Sequence, residues 1–119
     1  MKSPPSSEHL KAANAKNLTS VLNGTKWDRL FRALEEIRDS LDFRRKDIRD
    51  GFSDAPAWES DIYHVFGLSQ FIEWVEIRSA DSRKLIDTIR LAGIPFEKVE
   101  TGVRVYGYLR PGCAPAWAE

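Results

Sequence analysis

His64, Glu73 and Glu76 are the side chains best suited to proton transfer in this chain. If His64 lies on one strand and the carboxylates on its neighbour, cross-strand pairing sets the imidazole opposite one of them, at the reach general acid–base catalysis needs. A buried Glu73 would bind its proton more tightly and could then act as acid or base. Trp58 and Trp74 would line the pocket of such a small hydrolase-like enzyme. The same residues serve equally as a structural His–Glu pair on a sheet face, or as carboxylates left in water, and these plainer readings are preferred. The catalytic assignment is therefore none, with His64, Glu73 and Glu76 as the alternative.

Other chemistries find less support. Metal ligation needs three or four suitable groups, whereas His9, His64 and Cys113 fall in segments of different character, so no metal is expected. Cys113 sits among small residues in Pro-Gly-Cys-Ala-Pro, a poor setting for an activated thiolate. The chain contains no Gly-x-Ser-x-Gly elbow, glycine-rich phosphate loop or dinucleotide fingerprint, and no cofactor is expected.

A recognition surface is better supplied. Arg104, Tyr106, Tyr108 and Arg110 alternate along one strand and are expected to point outward, with Val103, Val105 and Leu109 inward. Tyrosines flanked by arginines suit base stacking in a weak RNA-binding alternative, but the same types dominate protein interfaces. Lys plus Arg and Asp plus Glu both number 18, so no overall field draws nucleic acid, and a protein partner is preferred. Trp58, in Asp-Ala-Pro-Ala-Trp-Glu-Ser, is either a lid over the core or an anchor for that partner. The mixed run Arg44, Arg45, Lys46, Asp47, Arg49 and Asp50 reads as a solvated edge that discourages strand addition.

These residues need a scaffold, and 119 residues with 42% hydrophobic side chains suffice for one domain. The expected class is α+β, a single antiparallel or mixed sheet packed by two to three helices. Residues 1–7 read as a flexible leader, 8–110 as the domain and 111–119 as a tail from which Trp117 can dock. Residues 61–78, the densest β-branched and apolar stretch, are expected to form strands at 62–66 and 71–77 joined by a turn at 67–70. Glu73 is then awkward, because it shares a face with Phe71 and Val75.

A broken apolar stripe at 8–22 predicts a short helix stopped by Asn23-Gly24. A stronger helix is expected from a Thr25 cap through Trp27, Leu30, Phe31, Leu34, Ile37 and Leu41. Residues 43–48 read as an edge strand, and 50–56 as turns. Ser79 or Asp81 caps a helix through Leu85, Ile86, Ile89 and Ala92, ended by Gly93. A hairpin over 96–109 follows, in which Gly107 leaves room for an aromatic ring.

The N-terminus lacks the apolar core of a secretory signal, no stretch is long enough to span a membrane, and one cysteine suits a reducing compartment. The chain reads as cytoplasmic. Five pieces carry a resemblance: Asn23-Gly-Thr-Lys-Trp27, Arg45-Lys-Asp-Ile48 with Gly51, Tyr63-His64, Ile72-Glu-Trp-Val-Glu-Ile77, and Val105-Tyr-Gly-Tyr108. In their order and spacing, over residues 23–110, the chain resembles a family of small uncharacterised bacterial proteins, a domain of unknown function. It departs at Trp58-Glu-Ser-Asp-Ile62, where that family is expected to carry a Trp-Asp-Gly-Glu-Trp type loop. The resemblance implies no established activity. Proteins of this size and style resemble immunity proteins of bacterial toxin systems, which implies a direct-binding inhibitor with a cognate toxin as partner. A homodimer stays open.

Overall fold

The computed structural model describes residues 18–48 and 57–118. The expected leader at 1–7, the helical stretch at 8–17 and the turn signals at 50–56 lie outside them. The fold is α+β, with three α-helices and antiparallel strands among the described residues.

Helix α1, Gly24–Glu35, begins where the previous helix was expected to stop. Asn23 has an extended backbone and its side chain accepts the Lys26 N–H at 2.9 Å, so Asn23 is the cap and Thr25 lies inside the first turn. Trp27, Leu30 and Leu34 form its buried stripe. The helix ends well before Leu41, which instead opens a strand after the 3₁₀ turn Arg38–Ser40. Replacing Asn23 with Ala is expected to cost about 1 kcal/mol. Thr25→Ala should cost less than about 0.5 kcal/mol. Thermal melts of the two variants decide the cap, and the reverse order would return it to Thr25.

Upstream, Thr19–Ser20 form strand β1 and not the end of a helix. Once Asn23-Gly24 starts α1, the preceding chain is free to lie extended, and the Val21 N–H donates to the Gly107 carbonyl at 2.8 Å.

The main sheet contains β2 (Leu41–Asp47), β3 (Ile72–Ser79), β4 (Glu97–Val99) and β5 (Gly102–Tyr106), in the order β2-β3-β5-β4 and antiparallel throughout. Strand β6, Tyr108–Leu109, continues past Gly107 to pair with β1 in a two-stranded ladder. Alternation along the strands puts Leu41, Phe43, Val75, Ile77, Val103 and Val105 in one apolar cluster with Trp27, Leu30 and Leu34. Leu85 and Ile89 of helix α3, Ser82–Leu91, complete it. Asp81 caps α3 by accepting the Lys84 N–H at 3.1 Å, and Gly93 ends it at φ 73°.

Three further expectations need correction. Residues 62–66 are not a strand: Ile62–Val65 form the short helix α2, because the Asp61 carboxylate accepts the N–H groups of Tyr63 and His64. Ile62, Val65 and Phe66, at helical spacing, then reach the core together. Residues 67–70 accordingly join a helix to β3 and do not turn between two strands; Leu68 takes a left-handed φ of 50° there.

The second correction concerns Glu73. Lys46 faces Trp74 but Asp47 faces Ile72, so the pairing skips Glu73 and leaves it in a bulge. Its carboxylate turns to Arg110 and Lys46, which resolves the conflict with Phe71 and Val75.

Third, Tyr106 and Tyr108 are not exposed platforms; each is only 6% exposed. Gly107 interrupts the alternation on which that expectation rested. Tyr106 donates to Glu97 and meets the Trp117 ring edge-on, while Tyr108 donates to the Gln70 carbonyl beside Ile48 and Phe71. Leu109, expected inward, is only half-buried.

Candidate functional site

Helices and core residues occupy one face of the main sheet. The other face is built by the even-numbered positions of β2, β3 and β5, and the register arranges these in rows. Arg44 lies opposite Glu76, Glu76 opposite Arg104, and Arg104 opposite Glu97, so charges alternate in sign across all four strands. A neighbouring row runs Lys46, Trp74, Tyr106, and a third pairs Asp42 with Arg78. Two side chains from outside the strands lie on this face. Trp58 meets the guanidinium of Arg44 at 4.6 Å and of Arg78 at 4.1 Å, and Trp117 meets Tyr106 at 5.8 Å.

Glu76 anchors the arrangement. It is 2% exposed and accepts from Arg44 Nε at 2.6 Å and from Arg104 through Nε at 2.8 Å and Nη2. A carboxylate so far from water is tolerable only when both oxygens are taken by charged donors. Arg104 in turn lies 4.6 Å over the Trp74 ring. Burial works against the Arg104 charge, but its hydrogen bonds with Tyr106 and Glu76 outweigh this and its pKa is raised. Burial also raises the pKa of the Tyr106 hydroxyl, which donates to Glu97 at 2.8 Å. Beside the rows, Arg110 grips Glu73 with two donors at 2.9 and 2.7 Å, and that hydrogen bonding raises the Arg110 pKa.

The sheet's two edges are both engaged. Phe43 on β2 exchanges N–H and carbonyl with Glu59, both at 2.7 Å, and the Ala118 N–H donates to the Phe96 carbonyl beside β4 at 2.8 Å. The Ala116 N–H reaches the Glu97 carboxylate at 2.8 Å. Part of the expected tail is therefore folded onto the sheet.

His64 stands elsewhere. It lies on α2 with its side chain 76% exposed, and Nδ1 is 2.6 Å from Glu59 Oε1. That hydrogen bond raises its pKa, with the charge of Glu59 as the second cause. Helix formation at 62–65 removes the cross-strand geometry that would have set His64 opposite Glu73 or Glu76, and both carboxylates are held by arginines instead. The cleft beside His64 is lined by Arg45, Asp47, Glu59 and Tyr63, of which Arg45 is occupied by the Val65 and Gly67 carbonyls at 2.6 Å. The expected pairing of His64 with Glu73 or Glu76 is therefore not formed, and Glu59 is its carboxylate partner instead.

Of the residues expected at a partner surface, the structure brings Trp58, Arg104 and Tyr106 together, with Tyr106 mostly covered. Arg110 lies on the Glu73 side, and Tyr108 belongs to a small separate apolar cluster. Arg44, Arg78 and Trp117 join this surface without having been singled out for it. Their signal was the period-two spacing of Arg44 with Lys46 and of Trp74 with Glu76 and Arg78. Among the described residues, no group of three His, Cys, Asp or Glu side chains is placed to hold a metal ion. No helix there is long and apolar enough to cross a membrane.

The chain matches Family of unknown function (DUF6678) over residues 9–112, and it belongs to that family. No curated protein and no solved structure matches it.

Proposed function

We propose that this member of the family is a protein-binding protein, an immunity-type inhibitor that neutralises a bacterial toxin by covering it in the bacterial cytoplasm. One observation carries the reading: the sheet face on which no described helix lies presents Arg44, Arg78 and Arg104 stacked on Trp58 and Trp74. Trp and Arg are the residue types that dominate interface hot spots, and here stacking and the Glu76 ion pairs fix them before any partner arrives. Less side-chain freedom then remains to be lost on association. Because Glu59 and Ala118 bond the outer backbone beside β2 and β4, approach onto the face is favoured over addition of a strand at an edge. Occlusion needs no nucleophile, which suits a face of ion pairs and rings. The toxin and the cytoplasm are supported more indirectly, by the chain's size and style and by the exposed, unpaired Cys113.

The test is isolation of the tagged chain from its own cells at native level, followed by mass spectrometry. One stoichiometric protein, toxic when expressed alone, is expected. Trp58→Ala should weaken its capture at least about thirtyfold, the scale of a hot spot. Undiminished capture by a folded Trp58→Ala variant would remove this face from the reading, and return of the chain alone would remove the reading itself.

A further inference from the structure

The hydrogen-bonding capacity of the same face is lopsided. On the acceptor side, Glu73, Glu76 and Glu97 each have both oxygens engaged: Glu73 by Arg110, Glu76 by Arg44 and Arg104, Glu97 by Tyr106 and Ala116. Asp42 keeps one oxygen, the other being taken by Arg78 Nε at 3.2 Å. On the donor side, Arg44 and Arg78 each spend only Nε. A guanidinium carries five N–H groups, so the Nη ends of both have no hydrogen-bond partner among the described residues. Lys46 Nζ, at 3.9 Å from Glu73, is beyond hydrogen-bond length.

Depth sharpens the asymmetry. Glu73 and Glu76 are 5% and 2% exposed, whereas the side chains of Arg78 and Arg110 are 43% and 37% exposed. The negative charge lies beneath and the positive charge above. The Arg44 and Arg78 guanidiniums both lie against the Trp58 ring, at 4.6 and 4.1 Å, so that two forks of donors adjoin one side chain.

Building on the protein-binding reading, we infer that the partner is acidic: it presents Asp or Glu carboxylates to the Nη ends of Arg44 and Arg78 beside Trp58. A carboxylate matches such a fork with two parallel hydrogen bonds. Nucleic acid offers the same oxygen chemistry but fits less well. Base stacking would have to displace the guanidiniums already on Trp58 and Trp74, and zero net charge gives no long-range field to gather phosphates.

The experiment uses the full chain and fluorescence anisotropy with three labelled probes: a Glu/Asp-rich 12-residue peptide, its Gln/Asn counterpart, and a single-stranded oligonucleotide of equal charge. The acidic peptide should bind, weaken about tenfold as salt rises from about 20 to about 200 mM, and outcompete the other two. Arg78→Gln should weaken it about tenfold and Arg78→Glu further, since the charge is removed and then reversed. Among the described residues Arg78 forms an ion pair only with half-exposed Asp42, so both variants should fold, which circular dichroism checks. No binding of the acidic peptide at low salt overturns the inference, as does binding indifferent to Arg78→Glu. Tighter binding of the oligonucleotide would turn the face over to nucleic acid. A co-isolated protein that docks here through a basic or neutral surface would defeat this inference while the protein-binding reading stands. Absence of any co-isolated protein defeats that reading whatever the peptides do.

Discussion

Gly107→Ala is expected to destabilise the chain by about 4 kcal/mol or more, a large share of the roughly 5–15 kcal/mol that keeps a domain folded. Gly107 is the point where β5 leaves the main sheet and β6 begins pairing with β1, and its backbone serves both. Its N–H donates to the Glu73 carbonyl and its carbonyl accepts from Val21, each at 2.8 Å. A β-carbon here would run into the carbonyl oxygen of Ile72 and stand 3.0 Å from the Trp27 ring. The ring could yield slightly; the carbonyl belongs to a central strand and cannot move without breaking the ladder. The aromatic neighbour for which this glycine leaves room is therefore Trp27, but the strand behind it sets the cost. Gly24→Ala is the control, because a β-carbon at Gly24 meets nothing within 4 Å and alanine is the better helix former. Urea denaturation of both separates the causes: Gly24→Ala should hold or gain stability. If Gly107→Ala unfolds at the same urea concentration as the wild type, the junction between the two ladders is not tight.

How much of this was readable in advance depended on whether a residue's role is set locally or by register. Helices α1 and α3 carry long stripes at helical spacing, and β3 and the β4–β5 hairpin carry the two-residue alternation, so their existence followed from pattern alone. Residues 62–66 defeat the method. Ile62, His64 and Phe66 make a strand face, Ile62, Val65 and Phe66 make a helix face, and five residues are too few to separate the periods. The deciding signal was Asp61, whose carboxylate caps two N–H groups.

The site was less legible because its logic is cross-strand. Arg44 reads as a solvated charge until the register sets it opposite Glu76. Tyr106 and Tyr108 read as exposed until Gly107 breaks the alternation and Trp117, from a segment of tail composition, lies against Tyr106. The Glu59–His64 pair spans a helix start whose position had first to be known. The residue types were readable from the sequence; which of them face outward was a property of pairing.

Glu76→Ala should be the most damaging substitution on the sheet face, with an expected cost of about 3 kcal/mol. Removing one member of a buried ion pair strands the other, and here it strands two guanidiniums facing each other across β2, β3 and β5. The cost falls at the lower end of the range for buried pairs because the Arg44 and Arg104 side chains keep 20% and 29% exposure, so water can partly rehydrate them. At roughly 4 °C per kcal/mol for a chain of this size, the melting temperature should drop by about 12 °C. A drop below about 4 °C would mean that Glu76 is not what holds the arginines in place. The triple replacement Arg44→Met, Glu76→Leu, Arg104→Met asks a separate question. It removes the whole charged row and leaves no stranded ion, so stability should return to within about 1 kcal/mol of the wild type or exceed it. Partner capture should nevertheless be lost, because the rings of Trp58 and Trp74 lose Arg44 and Arg104 from their stacks. Stability without capture would mean that the buried carboxylate is kept for recognition, its desolvation cost borne to hold Arg44 and Arg104 in place. Stability with full capture would leave the row with neither role and move the partner to another face.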